Sequence, residues 1–186
     1  SGLITGATIW STHFIATLAF EPGYEHGYET GRTVLSFVIA VVGSLIANGA
    51  VSYIIGRSKF AVAGASFGLT VAAMHYVSMS AFQIPGEIYW QPALVAASVI
   101  IGTGLSVACY YRIVFPVSQY SWASAAVLMG LSITSLHFIG MSALEVRLND
   151  TTTVPPQVIS EHVLVIMIAS VVTVVLFVGF SAISIE

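Results

Sequence analysis

The chain has 186 residues, 57% of them apolar and only 7% charged, with a net charge of −3 and a mean hydropathy of +0.95. Soluble domains carry about 25% charged residues; here 5 Lys and Arg cannot neutralise a phosphate backbone, and 8 Asp and Glu cannot keep so apolar a surface dissolved. A soluble enzyme, a nucleic-acid binder and a disordered region are excluded, which leaves an integral membrane domain.

Apolar runs between polar punctuation predict six membrane-spanning helices at 3–20, 33–55, 60–82, 92–111, 120–144 and 161–185. Each is 18 to 25 residues long and has no charge in its middle. That length suits a helix crossing rather than the roughly ten-residue strands of an outer-membrane barrel. The expected fold is all-α and integral to the membrane, a single domain over 1–186. Cys109 is the only cysteine, so there is no disulfide framework and no CxxC pair. The chain starts Ser1-Gly2 and has no basic signal-peptide region, which reads as a piece of a longer protein.

Charge divides the connections. Arg57 and Lys59 join the second and third spans and Arg112 opens the connection after the fourth. The other connections hold Glu21, Glu25, Glu29, Glu87, Glu145 and Asp150, with Arg32 and Arg147 as their basic residues. The positive-inside rule places the basic connections in the cytoplasm and the acidic ones outside.

One motif recurs in the odd-numbered spans: Trp10-Ser11-Thr12-His13-Phe14, Ala72-Ala73-Met74-His75-Tyr76 and Thr134-Ser135-Leu136-His137-Phe138. The spacing is 75 − 13 = 62 and 137 − 75 = 62. The expected architecture is three parallel two-helix repeats, at 3–56, 60–113 and 120–185. Each histidine precedes its span's end by seven residues, which sets all three about 10 Å beneath the outer boundary. Thr17, Met79 and Met141 follow the histidines by four residues, on the same helix face.

Imidazole binds copper, zinc, iron or nickel, and a neighbouring thioether favours Cu(I). With no carboxylate in the spans, calcium and magnesium are poor fits. Copper is the first expectation, with zinc as an alternative and haem held between two histidines as a competitor.

The three motifs, above all Met74-His75-Tyr76-Val77 with Met79, resemble the MHYT domain, a bacterial membrane sensor domain built from motif-bearing hairpins. The resemblance covers essentially the whole chain. It implies a copper site facing the periplasm, sensing of oxygen, carbon monoxide or nitric oxide, and fusion to cytoplasmic signalling domains such as GGDEF and EAL cyclic-di-GMP modules. The family has seven spans, so the resemblance also implies that a first helix is absent here. Thr12, Thr17, Val77 and Leu136 depart from the motif. The metal role is carried to His13, His75, His137, Met79 and Met141, with Met74 and His162 as weaker candidates; position −1 from a histidine points about 100° away on a helix.

Each assignment has a structural counterpart. An intramembrane histidine also serves as an interhelical hydrogen-bonding group, and methionine fills apolar gaps. Met129 and Met167 are read as packing residues and His26 as solvated. Gly43, Ser44, Ala47, Gly49, Gly102, Gly104, Ser106 and Ala108 are read as helix-contact residues, and Asn48 as an interhelical hydrogen-bonding group. Tyr24, Tyr28, Tyr89, Trp90 and Trp122 are read as an interfacial belt. A metal or proton transporter with the histidines lining its path is the rival function. No acid–base constellation marks the chain itself as an enzyme.

Overall fold

The computed structural model describes residues 2–20, 23, 25–148 and 158–183. Expectations placed on Glu21, Tyr24 and Asp150 fall outside them. Six helices carry the fold: α1 (Gly2–Leu18), α2 (Thr30–Tyr53), α3 (Lys59–Ser80), α4 (Pro92–Val114), α5 (Ser121–Ser142) and α6 (Glu161–Ile183). Five of them, α2 to α6, are long and apolar enough to cross a membrane. Helix α1 is shorter, at 17 residues.

Helix ends follow local chemistry. Extended Glu29 starts α2, three residues before the expected position, because its carboxylate accepts the amide hydrogens of Gly31 (2.6 Å) and Arg32 (2.8 Å). Those two amides, Arg32's foremost, hold the Glu29 carboxyl below its ordinary value. Pro92 opens α4, where its missing N–H costs nothing. Helices α1, α3 and α5 stop two residues short of the predicted span ends. In the latter two, Phe82 and Leu144 have already turned into strands.

Those strands correct the expectation of a purely helical chain with plain outer loops. The strands β1 (Gly27–Glu29), β2 (Phe82–Gln83), β3 (Gly86–Trp90), β4 (Leu144–Leu148) and β5 (Val158–Ile159) form an antiparallel sheet in the order β2-β1-β5 and a separate β3-β4 pair. Their register repeats. Gly27 pairs with Gln83 and Tyr28 with Phe82; 62 residues on, Tyr89 pairs with Glu145 and Trp90 with Leu144. Glu29 N donates to the Ala81 carbonyl at 2.8 Å, and Gln91 N to the Ala143 carbonyl at 2.9 Å. Tyr28 is consequently buried between Phe14 and Phe82 instead of standing in an interfacial belt, and that burial pushes its hydroxyl pKa up. His26 is half-buried against Tyr28 and Phe82, not solvated as expected.

Helix α2 packs between α1 and α3, and α4 between α3 and α5. Helix α6 packs along α1, and among the described residues no comparable seam joins it to α5. Small residues set these approaches, as they do between membrane helices generally. A Cβ on Gly6 would come within 2.5 Å of Val41 Cα, on Gly64 within 2.5 Å of Val107 Cα, and on Gly68 within 2.5 Å of Thr103 Cα. Gly102 lies against Leu136, and Gly43 against Thr70. Gly49 and Gly104 do not act as expected: the first meets only Tyr53 of its own helix, and the second has open space beside it. Hydrogen bonds also join the helices, within the α4–α5 seam and from α4 across to α2. Ser106 donates to Ser132 (2.7 Å), which donates to the Gly102 carbonyl (2.8 Å), and Tyr110 donates to Asn48 Oδ1 (3.4 Å).

Candidate metal centre

The 62-residue spacing places one histidine five residues before the end of each of α1, α3 and α5. The three helices bring them together in the buried interior: His13, His75 and His137 are 4%, 1% and 7% exposed. Their rings stand nearly perpendicular in pairs, at 84°, 78° and 83°, with centroids 5.0 to 5.4 Å apart. Within this propeller the Nδ1 atoms turn inward. His13 Nδ1 lies 3.1 Å from His137 Nδ1 and 3.3 Å from His75 Nδ1.

Ser78 Oγ lies 2.5 Å from His13 Nε2 and within donating distance, 2.8 Å, of the His75 carbonyl. With its single proton on that carbonyl it accepts from His13 Nε2–H. His13 Nδ1 is then an unprotonated lone pair aimed at the centre. Each imidazole nitrogen offers either one proton or one lone pair, so His13 Nδ1, in reach of two other Nδ1 atoms, cannot satisfy both as a donor or acceptor of a single hydrogen bond. A cation among the three would be able to take all three lone pairs at once. His75 Nε2 adds to the asymmetry: it is buried without a hydrogen-bond partner and lies against Gly140. Gly140 is the counterpart of Ser78, since 140 − 78 = 62.

Beneath the rings, on the side of the preceding helical turn, lies an apolar cavity of about 140 Å³. Thr12, Ala16, Met74, Thr134, Leu136 and Phe138 line it together with the three histidines. Met74 therefore borders the histidine centre. Met79 is buried beside a separate pocket under β2 and β3, and Met141 is half-buried against the core; neither lines the cavity. His162 is exposed at the start of α6, outside the cluster. Met129 and Met167 pack against the core, as expected.

Sequence reasoning missed Ser78, Gly140 and Ala16. They occupy the +3 position of successive motifs and share only small size, which is the signal that comparing the repeats would have given. Ser78→Ala strips His13 Nε2 of its hydrogen-bond partner. Groups that orient metal-bound histidines are worth about 10–100-fold in metal affinity, so Ser78→Ala is expected to weaken metal binding within that range in a competition titration, with helix content by circular dichroism unchanged.

Fold and site together define a helical membrane bundle built around an internal three-histidine centre. The chain belongs to the MHYT family: its model, a bacterial signalling protein N-terminal repeat, matches three times, at residues 6–64, 68–126 and 130–184. The matches start 62 residues apart, as the histidines do (68 − 6 and 130 − 68). The chain is 34% identical over 186 residues to a signalling protein of Caulobacter vibrioides, covering all of this chain and 23% of that protein. It is 33% identical over 150 residues to the cyclic di-GMP phosphodiesterase NbdA of Pseudomonas aeruginosa, covering 75% of this chain and 19% of that protein. The bifunctional diguanylate cyclase/cyclic di-GMP phosphodiesterase MucR of the same organism is 33% identical over 147 residues, with coverages of 75% and 21%. The chain thus spans about a fifth of the length of these relatives. No solved structure matches it.

Proposed function

We propose that this chain is the membrane-embedded sensory input domain of a longer signalling protein in the bacterial inner membrane, and that it binds copper through His13, His75 and His137 near the outer face. The observation that carries the reading is the convergence of the three Nδ1 atoms. Ligand nitrogens about 2.0–2.1 Å from a tetrahedral metal stand about 3.3 Å from one another, and the Nδ1 separations here are 3.1 and 3.3 Å. The same closeness favours a bare ion over haem. Two axial nitrogens about 2 Å either side of an iron stand about 4 Å apart, and a cavity of about 140 Å³ is far smaller than the 300–1,000 Å³ of ordinary cofactor pockets.

Copper is preferred to zinc because thioethers lie close in sequence to the centre: Met74 borders the cavity, and Met79 and Met141 sit one turn outward of their histidines. In this reading all six helices cross the membrane as three parallel hairpins, α1 included, with Arg57, Lys59 and Arg112 on the cytoplasmic side. Copper held by His13, His75 and His137 would supply the chemistry that binds oxygen, carbon monoxide or nitric oxide. The chain holds the three imidazoles buried, and a ligand that binds two helix packings with different affinity shifts the balance between them. The output is a cytoplasmic signalling domain of the same chain, by analogy with the cyclic di-GMP enzymes NbdA and MucR.

The test is elemental analysis and absorption spectroscopy of the purified chain expressed with copper and haem precursor both supplied. About one equivalent of copper is expected, and none in the His13/His75/His137 triple Ala variant. Absence of copper from the unmodified chain, or undiminished binding in the triple variant, overturns the reading.

A further inference from the structure

The cavity under the histidines has a mouth of its own. Its rim residues Thr12, Thr134 and Phe138 are exposed on α1 and α5, Phe138 by 62%. Among the described residues α1 and α5 form no packed seam, and α6 leaves the gap between them open by packing on α1. Thr12 and Thr134 lie six and eight residues before the ends of their helices, about 9 and 12 Å below them, at a depth where a spanning bundle meets hydrocarbon. Both rim hydroxyls turn their protons to their own helices: Thr12 donates to the Thr8 carbonyl and Thr134 to the Gly130 carbonyl, each at 2.8 Å. The mouth therefore presents methyl groups and an aromatic ring, and the Nδ1 atoms of the histidines face one another.

A buried water needs two to four polar partners, whereas an aliphatic-lined cavity of about 150 Å³ stays dry and takes up xenon or benzene. We propose that this cavity binds a small apolar solute without hydrogen-bonding groups, and that the solute enters sideways from the bilayer between α1 and α5. This deepens the reading of the histidine centre as a site reached by a small molecule, and it rests on the bundle spanning the membrane but not on the identity of the metal.

Xenon is the probe, applied to the whole chain in lipid nanodiscs after chelation has removed metal. Saturation-transfer xenon NMR is expected to show one protein-bound population. Ala16→Leu, which fills the cavity, is expected to reduce its occupancy at least tenfold, while Thr173→Leu on the exposed face of α6 leaves it unchanged. In a Cys109→Ala background, Thr134→Cys is expected to react with a lipid-soluble maleimide and to resist a charged methanethiosulfonate added to both sides. No bound xenon, xenon retained in Ala16→Leu, labelling by the charged reagent, or labelling by neither reagent would each overturn the proposal. Copper is measured on the same preparations before chelation: a chain that binds xenon without copper refutes only the copper reading, and one that binds copper without xenon refutes only this one.

Discussion

Gly140→Val is expected to weaken copper binding at least tenfold, about 1.4 kcal/mol, while leaving the helices intact. The reason is steric. A Cβ at position 140 would overlap the edge of His75 at Nε2, and His75, 1% exposed, has nowhere to retreat within a packed interior. Overpacking a core costs about 1–3 kcal/mol, and here the ring absorbs the displacement, swinging Nδ1 away from its position 3.3 Å from His13 Nδ1. Gly130→Val is the control on the same helix, since nothing lies within 4 Å of a Cβ at Gly130. A competition titration with a Cu(I) chelator reads the difference. Equal affinity of the two variants would refute the packing of His75 on Gly140.

Gly68→Val is expected to cost about 2 kcal/mol of stability, seen as a lower midpoint of thermal unfolding in detergent. At Gly68 the obstacle is Thr103 Cα, a backbone atom that cannot rotate aside. Lipid tails are as apolar as leucine, so close backbone approach supplies much of what holds membrane helices together, and a wedge between α3 and α4 removes it. Gly104→Val, with open space beside it, is expected to stay within about 0.5 kcal/mol of the unmodified chain. Equal losses in the two variants would show that α3 and α4 do not depend on this contact.

These two pairs also show where the sequence was legible. Equal spacing put His13, His75 and His137 at one helical depth, and that alone placed them together, because identical hairpins position identical residues alike. It did not distinguish Gly68 from Gly104: both are small residues in apolar runs, and only the partner across the seam separates a contact from an open face. The strands were hidden for a related reason. Segments of two to five residues such as Phe82–Gln83 carry too little period-2 pattern to register, and their partners lie more than fifty residues away in sequence.

Met74 illustrates a subtler limit. The 3.6-residue period turns position −1 away from its histidine, yet Met74 borders the cavity. Helical side chains lean toward the N-terminus, so the space under the three rings is walled by the preceding turn, with Thr12, Met74 and Leu136 at equivalent positions. Period alone locates a residue around a helix but not the height at which its side chain acts.

The outer strands have a mechanical consequence. The sheet β2-β1-β5 links the segments leading into α2, out of α3 and into α6, and β3-β4 links those leading into α4 and out of α5, whereas the opposite ends of α2 and α3, and of α4 and α5, are joined only by short turns. Such a bundle is strapped by strands at one end and linked by turns at the other. His75 and His137 lie five residues, about 8 Å, before the strapped ends of α3 and α5, helices of 22 residues and about 33 Å. A rigid helix pivoting at its strapped end would turn a displacement at the histidine into one about four times larger at its far tip.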